Sequence, residues 1–421
     1  MTWPRLLIAL NARNYRLFFF GQFVSLIGTW MTSTASLWLV YHLSSSAFML
    51  GLVGFASQAP IFFCAPLAGV LVDRVNRRHL LILTQSLSMA QSLALAALTF
   101  THLINVDLLV GLTLLQGAIN GVDMPARQAL VVALVERREH LGNAIALNSS
   151  SFNLARLIGP AIAGFVIVVV GAGGCFLIDG LSYLAVILSL LATRIPAPPS
   201  LRVPKHPLVE LREGFRYTFG LRPVRVLMNT VALISFAGFS YTVLTPIYAR
   251  DIFHGDAKTL GCLMSAIGVG ALLGATYLGS RTTVRGLGNV IASGGCLMGA
   301  GLAVFGFSRW FPLSLLALAI VGLGGVLVMA SSNTLLQTLT EEEKRGRVMS
   351  IYAMAFTGTM PVGNLVVGAA TKRFGPAPVV EVAGALSALI ALNFYRQLPA
   401  LRAAAAPLLL KVLPPEETAP R

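Results

Sequence analysis

The chain has 421 residues, of which 56% are hydrophobic and only 11% charged, where a soluble domain carries about 25% charged residues. A water-soluble fold of this size is excluded by that balance, because only lipid can solvate so much apolar surface. The formal net charge of +15 would suit nucleic acid, but its distribution along the chain, set out below, argues for membrane topology instead. The apolar residues come in solid blocks rather than in the ten-residue alternation of a membrane β-barrel. Backbone groups in hydrocarbon must be bonded internally, so these blocks are expected to be helices.

The start, Met1 to Arg5, leads through Arg13 and Arg16 into a span too long for a signal h-region, and no cleaved leader is expected. Leu17 to Val72 holds no Lys, Arg, Asp or Glu. That length fits two spans of roughly 20 residues and a turn, expected at 17–41 and 49–72. Along the first, Gln22, Ser25, Thr29, Thr32 and Ser36 recur every three or four residues and share one helix face. Single hydroxyls can bond back to their own helix. A whole stripe is expected to face water and line a cavity.

Before the third span (79–100) the chain reads Gly69-Val-Leu-Val-Asp73-Arg74-Val-Asn-Arg77-Arg78. Gly69 lets another helix approach closely, and Asp73 ends span two. Span eleven starts on the same side, so its positive dipole end would face Asp73. The three arginines alone are also what any cytoplasmic loop carries. This stretch resembles the loop signature of the major facilitator superfamily, Gly-x-Leu-x-Asp-Arg-x-Gly-Arg-Arg. It departs only at Asn76, a residue that tolerates positive φ. The resemblance implies an all-α membrane protein of twelve transmembrane helices in two pseudo-symmetric six-helix bundles. It also implies that Gly69, Asp73, Arg74, Arg77 and Arg78 latch the halves on the cytoplasmic side. In the family an acidic residue of span four completes the charge relay. Asp123 is the match, with Arg77 as its expected partner. The opening Asn14-Tyr15-Arg16 to Gly28, with Asp73-Arg74 and the stretch from Asn143 to Arg156, resembles the branch of enterobactin exporters and macrolide efflux proteins.

Span four (107–132) contains Gln116-Gly117-Ala-Ile-Asn120-Gly121, similar to the end of the family pattern Arg-x-x-Gln-Gly, but Thr113 stands where the arginine linked to proton coupling would be. Asp123 and Arg127 are i, i+4 and can pair. Their place near the cytoplasmic end suits a gate, with substrate contact as the other reading. Span five (143–170) carries Ala155-Arg-Leu-Ile-Gly159-Pro160-Ala-Ile-Ala-Gly164, which resembles the antiporter signature Gly-x-x-x-Gly-Pro-x-x-Gly-Gly. Small residues there permit close packing, and Pro160 bends the span. The resemblance implies export; packing alone is the plain reading. Asn148, Phe152 and Arg156 share a face. A buried arginine needs a carboxylate, carbonyls or an anionic substrate, which leaves Arg156 either a substrate or coupling residue or half of a structural pair.

After span six (175–193), 194–225 is rich in proline and basic residues, and Leu208 to Phe219 has the period of a helix lying on the membrane surface. The expected organisation is a bundle over 1–193, this linker over 194–225, a second bundle over 226–396 and a cytoplasmic tail over 397–421. Its spans are placed at 226–248, 259–280, 287–307, 312–337, 347–370 and 377–396. Glu136 to His140, Pro160, Gly174 and Asp179 parallel Glu341 to Arg345, Pro361, Gly375 and Glu381. Two similar halves are a transporter signature, with the substrate site at their interface. Asp179 and Glu381 then fall at matching places near the outer ends of spans six and twelve, either as proton-titrating groups or as headgroup pairs. In the family, spans one, four, seven and ten line the cavity, which adds Tyr241, Thr245, Asn333 and Gln337 to Gln22, Ser25, Thr29 and Thr32. Such a lining is mostly neutral and apolar and suits a bulky amphipathic solute.

With the N-terminus inside, 24 of the 31 Lys and Arg fall in cytoplasmic segments, 5 outside, and 2 (Arg127, Arg156) within spans. This places both termini in the cytoplasm of a bacterial-type inner membrane, with basic loops on anionic lipid. No nucleic-acid partner is expected. There is no Gly-x-x-x-x-Gly-Lys-Ser/Thr phosphate loop, no Cys/His cluster for a metal and no nucleophile–base pair, so neither a cofactor nor an enzyme activity is expected. The four cysteines, Cys64, Cys175, Cys262 and Cys296, read as small core residues. The whole reads as a monomeric, proton-coupled exporter of a siderophore-like or drug-like molecule. A lysophospholipid flippase, an uncoupled or uptake facilitator, and a non-transporting sensor or assembly partner are the alternatives.

Overall fold

The computed structural model describes residues 5–135, 137–193, 207–281 and 283–409. Most of the proline-rich linker and the end of the tail therefore lie outside the described residues, and at Gly69, Asp73 and Arg74 only the backbone is described. The elements are α1 (Arg13–Ser44), α2 (Ala47–Arg74), α3 (Arg77–Phe100), α4 (Val106–Leu134), α5 (Leu141–Val170), α6 (Ala172–Ala192), α7 (Pro207–Gly220), α8 (Arg222–Gly238), α9 (Thr245–Ile247), α10 (Ala257–Gly279), α11 (Leu287–Phe307), α12 (Phe311–Leu339), α13 (Glu342–Phe374) and α14 (Pro376–Leu409). Among the described residues, twelve helical segments are long and apolar enough to cross a membrane, and there is no strand. Large apolar side chains such as Phe63, Phe165 and Leu188 point outward, as lipid-facing positions do.

The seventh span is not one helix. α8 stops at Gly238, a 3₁₀ turn covers Ser240–Leu244, α9 is a single turn, and a π-turn covers Tyr248–Ile252. Pro246 removes a backbone donor there, and the Ser240 hydroxyl competes for the Phe236 carbonyl at 2.8 Å. The last helix runs on to Leu409 instead of ending near 396. The Ala-rich stretch after Pro399 favours helix, Leu398 and Leu401 are buried, and Arg402 Nη2 donates to Asn289 Oδ1 at 2.8 Å.

The chain forms two compact units. The first holds Met1–Val203 with Val243–Gly268; the second holds Pro204–Thr242 with Val269–Arg421. In the first unit α1 packs on α6 and α5, α3 on α6 and α4, and α2 on α4. One apolar cluster there joins Tyr15 and Phe18 of α1, Leu81 of α3, Leu130 of α4 and Leu190 of α6. The N-terminal 3₁₀ turn Arg5–Asn11 belongs to the same cluster through Ala9 and Leu10, and the Ala9 amide donates to Asn143 Oδ1 at 3.0 Å. In the second unit α11 packs against α12 and α14, and α8 against α13 and α14.

Two glycine turns share one backbone conformation. Gly171, between α5 and α6, has φ +82° and ψ 173°; Gly375, between α13 and α14, has φ +82° and ψ 167°. Gly174, matched to Gly375 in the sequence, instead lies inside α6. The equivalent turn glycine is Gly171, because this backbone region is essentially restricted to glycine.

Candidate functional site

Polar side chains in apolar helices are costly, so the buried ones locate the site. Two carboxylates in the first unit are each 1% exposed, Asp123 on α4 and Asp179 on α6. Asp123 Oδ1 accepts from Thr84 Oγ1 at 2.8 Å and from Gln85 Nε2 at 2.7 Å, and its Oδ2 is bonded by Arg127 one turn along. Arg127, the i, i+4 neighbour, is thus a cation on Asp123. Asp179 Oδ2 accepts from Thr32 Oγ1 of α1 at 2.9 Å and Ser92 Oγ of α3 at 2.8 Å. Among the described residues, no Lys, Arg or His is bonded to Asp179.

Both carboxylates meet α3, which carries the buried residues Thr84, Gln85, Ser88, Gln91 and Ser92. The spacing puts them on one face. Gln116 Nε2 reaches Ser88 Oγ at 3.1 Å and Asn120 Oδ1 at 3.2 Å, and Gln91 Nε2 reaches the Leu112 carbonyl at 3.1 Å. This polar ridge was missed by the sequence reading, although its three-to-four spacing is the same signal that marked the stripe on α1. Thr113, at the family's arginine position, bonds the Leu109 carbonyl of its own helix at 2.7 Å.

The stripe on α1 is largely covered. Gln22, Ser25 and Ser36 are buried, Thr29 Oγ1 bonds its own Ser25 carbonyl at 3.0 Å, and Thr32 goes to Asp179. Gly21 and Gly28 on this face let α6 approach: a Cβ on Gly28 would stand 2.6 Å from Ser182 Oγ. The stripe therefore meets α6 as well as any solvent, since hydroxyls without water must find protein partners.

At the α2–α3 loop, α2 runs through Arg74 and only Val75 and Asn76 lie between the helices. Asn76 does not use positive φ. At φ −65° it is the N-cap of α3, accepting from the Arg78 and His79 amides, so a capping side chain stands in for the expected glycine turn. Arg78 Nε and Nη2 donate to the Leu190 and Leu191 carbonyls at 2.7 and 2.9 Å, closing the C-terminus of α6. Arg77 opens α3.

On α5, Gly159 meets α1 and Pro160 lies inside an unbroken helix. Ala155 and Ala163 are fully buried. Ser265 Oγ of α10 donates to the Leu157 carbonyl at 2.8 Å, and a Cβ on Gly164 would stand 2.7 Å from the Ala257 carbonyl oxygen. Arg156 lies over the Trp30 ring at 5.7 Å, and Trp30 packs edge-on against Phe152 at 5.6 Å. Asn148 Oδ1 accepts from the Tyr15 hydroxyl at 3.3 Å. Sequence reasoning also missed a clasp at the end of α1, where the Tyr41 hydroxyl bonds Asp251 and Arg250 lies over the Tyr41 ring.

In the second unit Tyr241 is buried in the 3₁₀ turn. Gln337 Nε2 donates to Asn333 Oδ1 at 2.6 Å on α12, and Glu381 Cγ stands 2.7 Å from where a Gly306 Cβ would be. Thr245, in the first unit, contacts Met264 Sδ at 3.5 Å. α7 and α13 flank an open groove of about 410 Å³ lined by Glu213, Arg216, Tyr217, Lys344 and Arg347. In it Arg347 pairs with Glu213 at 2.9 Å.

Comparison with known proteins gives a consistent outcome. A family model described as transmembrane secretion effector matches residues 7–417. The chain is 26% identical to the staphyloferrin A transporter of Staphylococcus aureus, over 90% of this chain and 94% of that one. It is 26% identical to the multidrug efflux pump Tap of Mycolicibacterium fortuitum, over 90% and 91%. With the enterobactin exporter EntS of Escherichia coli it shares 25% identity, over 91% and 94%. Among solved structures, a POT family transporter in complex with a thioalcohol-conjugated peptide superposes with a TM-score of 0.76 at 14% identity, covering 92% of this chain and 96% of that one. The human organic anion transporter MFSD10 gives 0.65 at 16% identity, covering 90% and 99%.

Proposed function

The chain belongs to the transmembrane secretion effector family of the major facilitator superfamily, and from that premise we propose that it exports an amphipathic small molecule, siderophore-like or drug-like, in exchange for protons. Family and relatives alike are transporters rather than enzymes, so the substrate leaves chemically unchanged. The observation that carries the export direction is the likeness, along nine-tenths of the chain, to an enterobactin exporter and a multidrug efflux pump. Proton coupling is supported by Asp123 and Asp179, two carboxyl groups buried in spanning helices, where an ionisable group is rarely kept without use.

In this reading Gly69, Asp73, Arg74, Arg77 and Arg78 form the cytoplasmic latch, with Asp123 behind it. Gln22, Thr29, Arg156, Tyr241, Asn333 and Gln337 are the first residues to test for substrate contact. The protein works as a monomer with both termini in the cytoplasm, its basic loops resting on anionic lipid. The test uses inside-out vesicles made acid inside, to which macrolides, catecholate siderophores and lipophilic cations are added in turn while luminal pH is followed. A rise in luminal pH that depends on both protein and added compound is expected. No rise with any compound, in vesicles shown to hold folded protein, would overturn proton-coupled export of this substrate class.

A further inference from the structure

The buried ridge of α3 touches both carboxylates. Thr84, Gln85, Ser88, Gln91 and Ser92 are each at most 4% exposed. Thr84 and Gln85 donate to Asp123 at one end, and Ser92 donates to Asp179 at the other. Eight residues at 1.5 Å per residue separate the ends by about 12 Å along the helix.

The Asp179 carboxylate is used unevenly. Both hydroxyl donors, Thr32 and Ser92, go to Oδ2, while Oδ1 is buried and has no hydrogen-bond partner among the described residues. Oδ1 faces the bare backbone of Gly28, where a Cβ would stand 2.7 Å from it. α1 brings Thr32 and α3 brings Ser92. On α6 itself Cys175 and Tyr183 are buried one turn to either side of it. α5 brings the Ala163 carbonyl to Cys175, and its one cation, Arg156, lies over Trp30. A buried carboxylate oxygen with no donor lacks what a bound proton supplies.

We propose that Asp179 Oδ1 is a proton-binding site, and that the α3 ridge transmits its charge state to the Asp123–Arg127 pair. The inference rests on the proton-coupled reading above and names the site where that coupling begins. One proton from bulk water binds Oδ1, and the carboxylate becomes a neutral carboxyl whose carbonyl oxygen is Oδ2. Hydrogen bonds to a neutral carbonyl are weaker than those to a carboxylate. Ser92 has one hydroxyl proton, and its Oγ stands 2.8 Å from Asp179 Oδ2 and 3.3 Å from Gln91 Oε1. Neutralising Asp179 shifts that proton toward Gln91. The Gln91 amide already holds the Leu112 carbonyl of α4, and one turn along α3 Ser88 accepts from Gln116 of α4. α4 is the helix that carries Asp123 and Arg127.

Infrared titration of the purified full-length protein in lipid nanodiscs tests this without any substrate. Acidification is expected to produce a carboxyl band that Asp179→Asn removes. Ser92→Ala and Thr32→Val, each removing a donor to the carbonyl oxygen, are expected to raise its frequency. Asp123→Asn is expected to move the midpoint of that band, and the double change Ser88→Ala with Gln91→Leu to abolish the movement. If no band belongs to Asp179, the proton site is wrong. If Asp123→Asn leaves the midpoint in place, or its effect survives loss of the ridge, the relay is wrong and any coupling is through space. Ser92→Ala removes a single oxygen atom, so its band remains readable should Asp179→Asn fail to fold. The readings separate cleanly: a chain that exports nothing from vesicles can still show the Asp179 band, and a proton-coupled exporter can lack it.

Discussion

Gly159 and Trp30 mark the crossing of α5 and α1: a Cβ built on Gly159 would stand 2.5 Å from Trp30 Cβ. A Cβ is fixed to the backbone, so no rotamer change of Trp30 relieves such a clash. Gly159→Ala is therefore expected to force the helices apart and to cost about 1–3 kcal/mol, the usual range for overpacking. Thermal unfolding in nanodiscs reads this directly. An unchanged midpoint would mean that the crossing opens without resistance, and that the resemblance of this span to the antiporter signature is not a matter of packing.

The paired turns give a second expectation. Gly171 and Gly375 share φ +82°, and a Cβ at either would find nothing within 4 Å among the described residues. Substitution there tests backbone strain alone. Alanine at either position is expected to cost about 1–3 kcal/mol. Asparagine is expected to do no better, because ψ near 170° lies outside the left-handed helical region that asparagine tolerates. Equal losses at the two sites would support an internal repeat; a loss at one site only would show that its two turns carry different loads.

Much of the fold was legible because hydrocarbon imposes one rule, apolar helices of fixed length. The twelve spans, the proline inside span five and the Asp123–Arg127 pair all follow from spacing along a single helix. What was not legible depends on which helix stands opposite. Arg78 could be read as a cytoplasmic charge, but its bonds to the end of α6 cross more than a hundred residues. The stripe on α1 has the spacing of a cavity lining, but that spacing does not reveal that Thr32 bonds Asp179 of α6. Tyr41 and Asp251 carry no motif that would pair them. The break in span seven has a local signal in Pro246 and Ser240, set within an apolar run that by itself reads as one helix.

Asn76 offers a test of how this chain differs from its superfamily loop. As N-cap it satisfies two amides of α3, and Asn76→Ala is expected to cost about 1 kcal/mol, against only a few tenths for Asn76→Gly. Chemical unfolding of the two variants side by side decides it. Should glycine prove as costly as alanine, the side-chain cap is worth more than the backbone freedom that the family signature provides.

The Asp123–Arg127 pair calls for a double-mutant cycle, since neither single change isolates it. Asp123→Asn leaves the Arg127 charge, about a quarter exposed, without its counter-ion, and Arg127→Gln leaves a buried carboxylate held by Thr84 and Gln85 alone. Each is expected to be destabilising, because an unpaired charge in a spanning helix keeps its desolvation cost. The double variant removes both charges and is expected to be more stable than the sum predicts, by about 0.5–3 kcal/mol. Strict additivity would mean that the pair is held apart by solvent and stores no energy. A positive coupling that disappears in Gln85→Leu would instead show that the α3 ridge sets the geometry of the pair, which is what a link from Asp179 to this end of the unit requires.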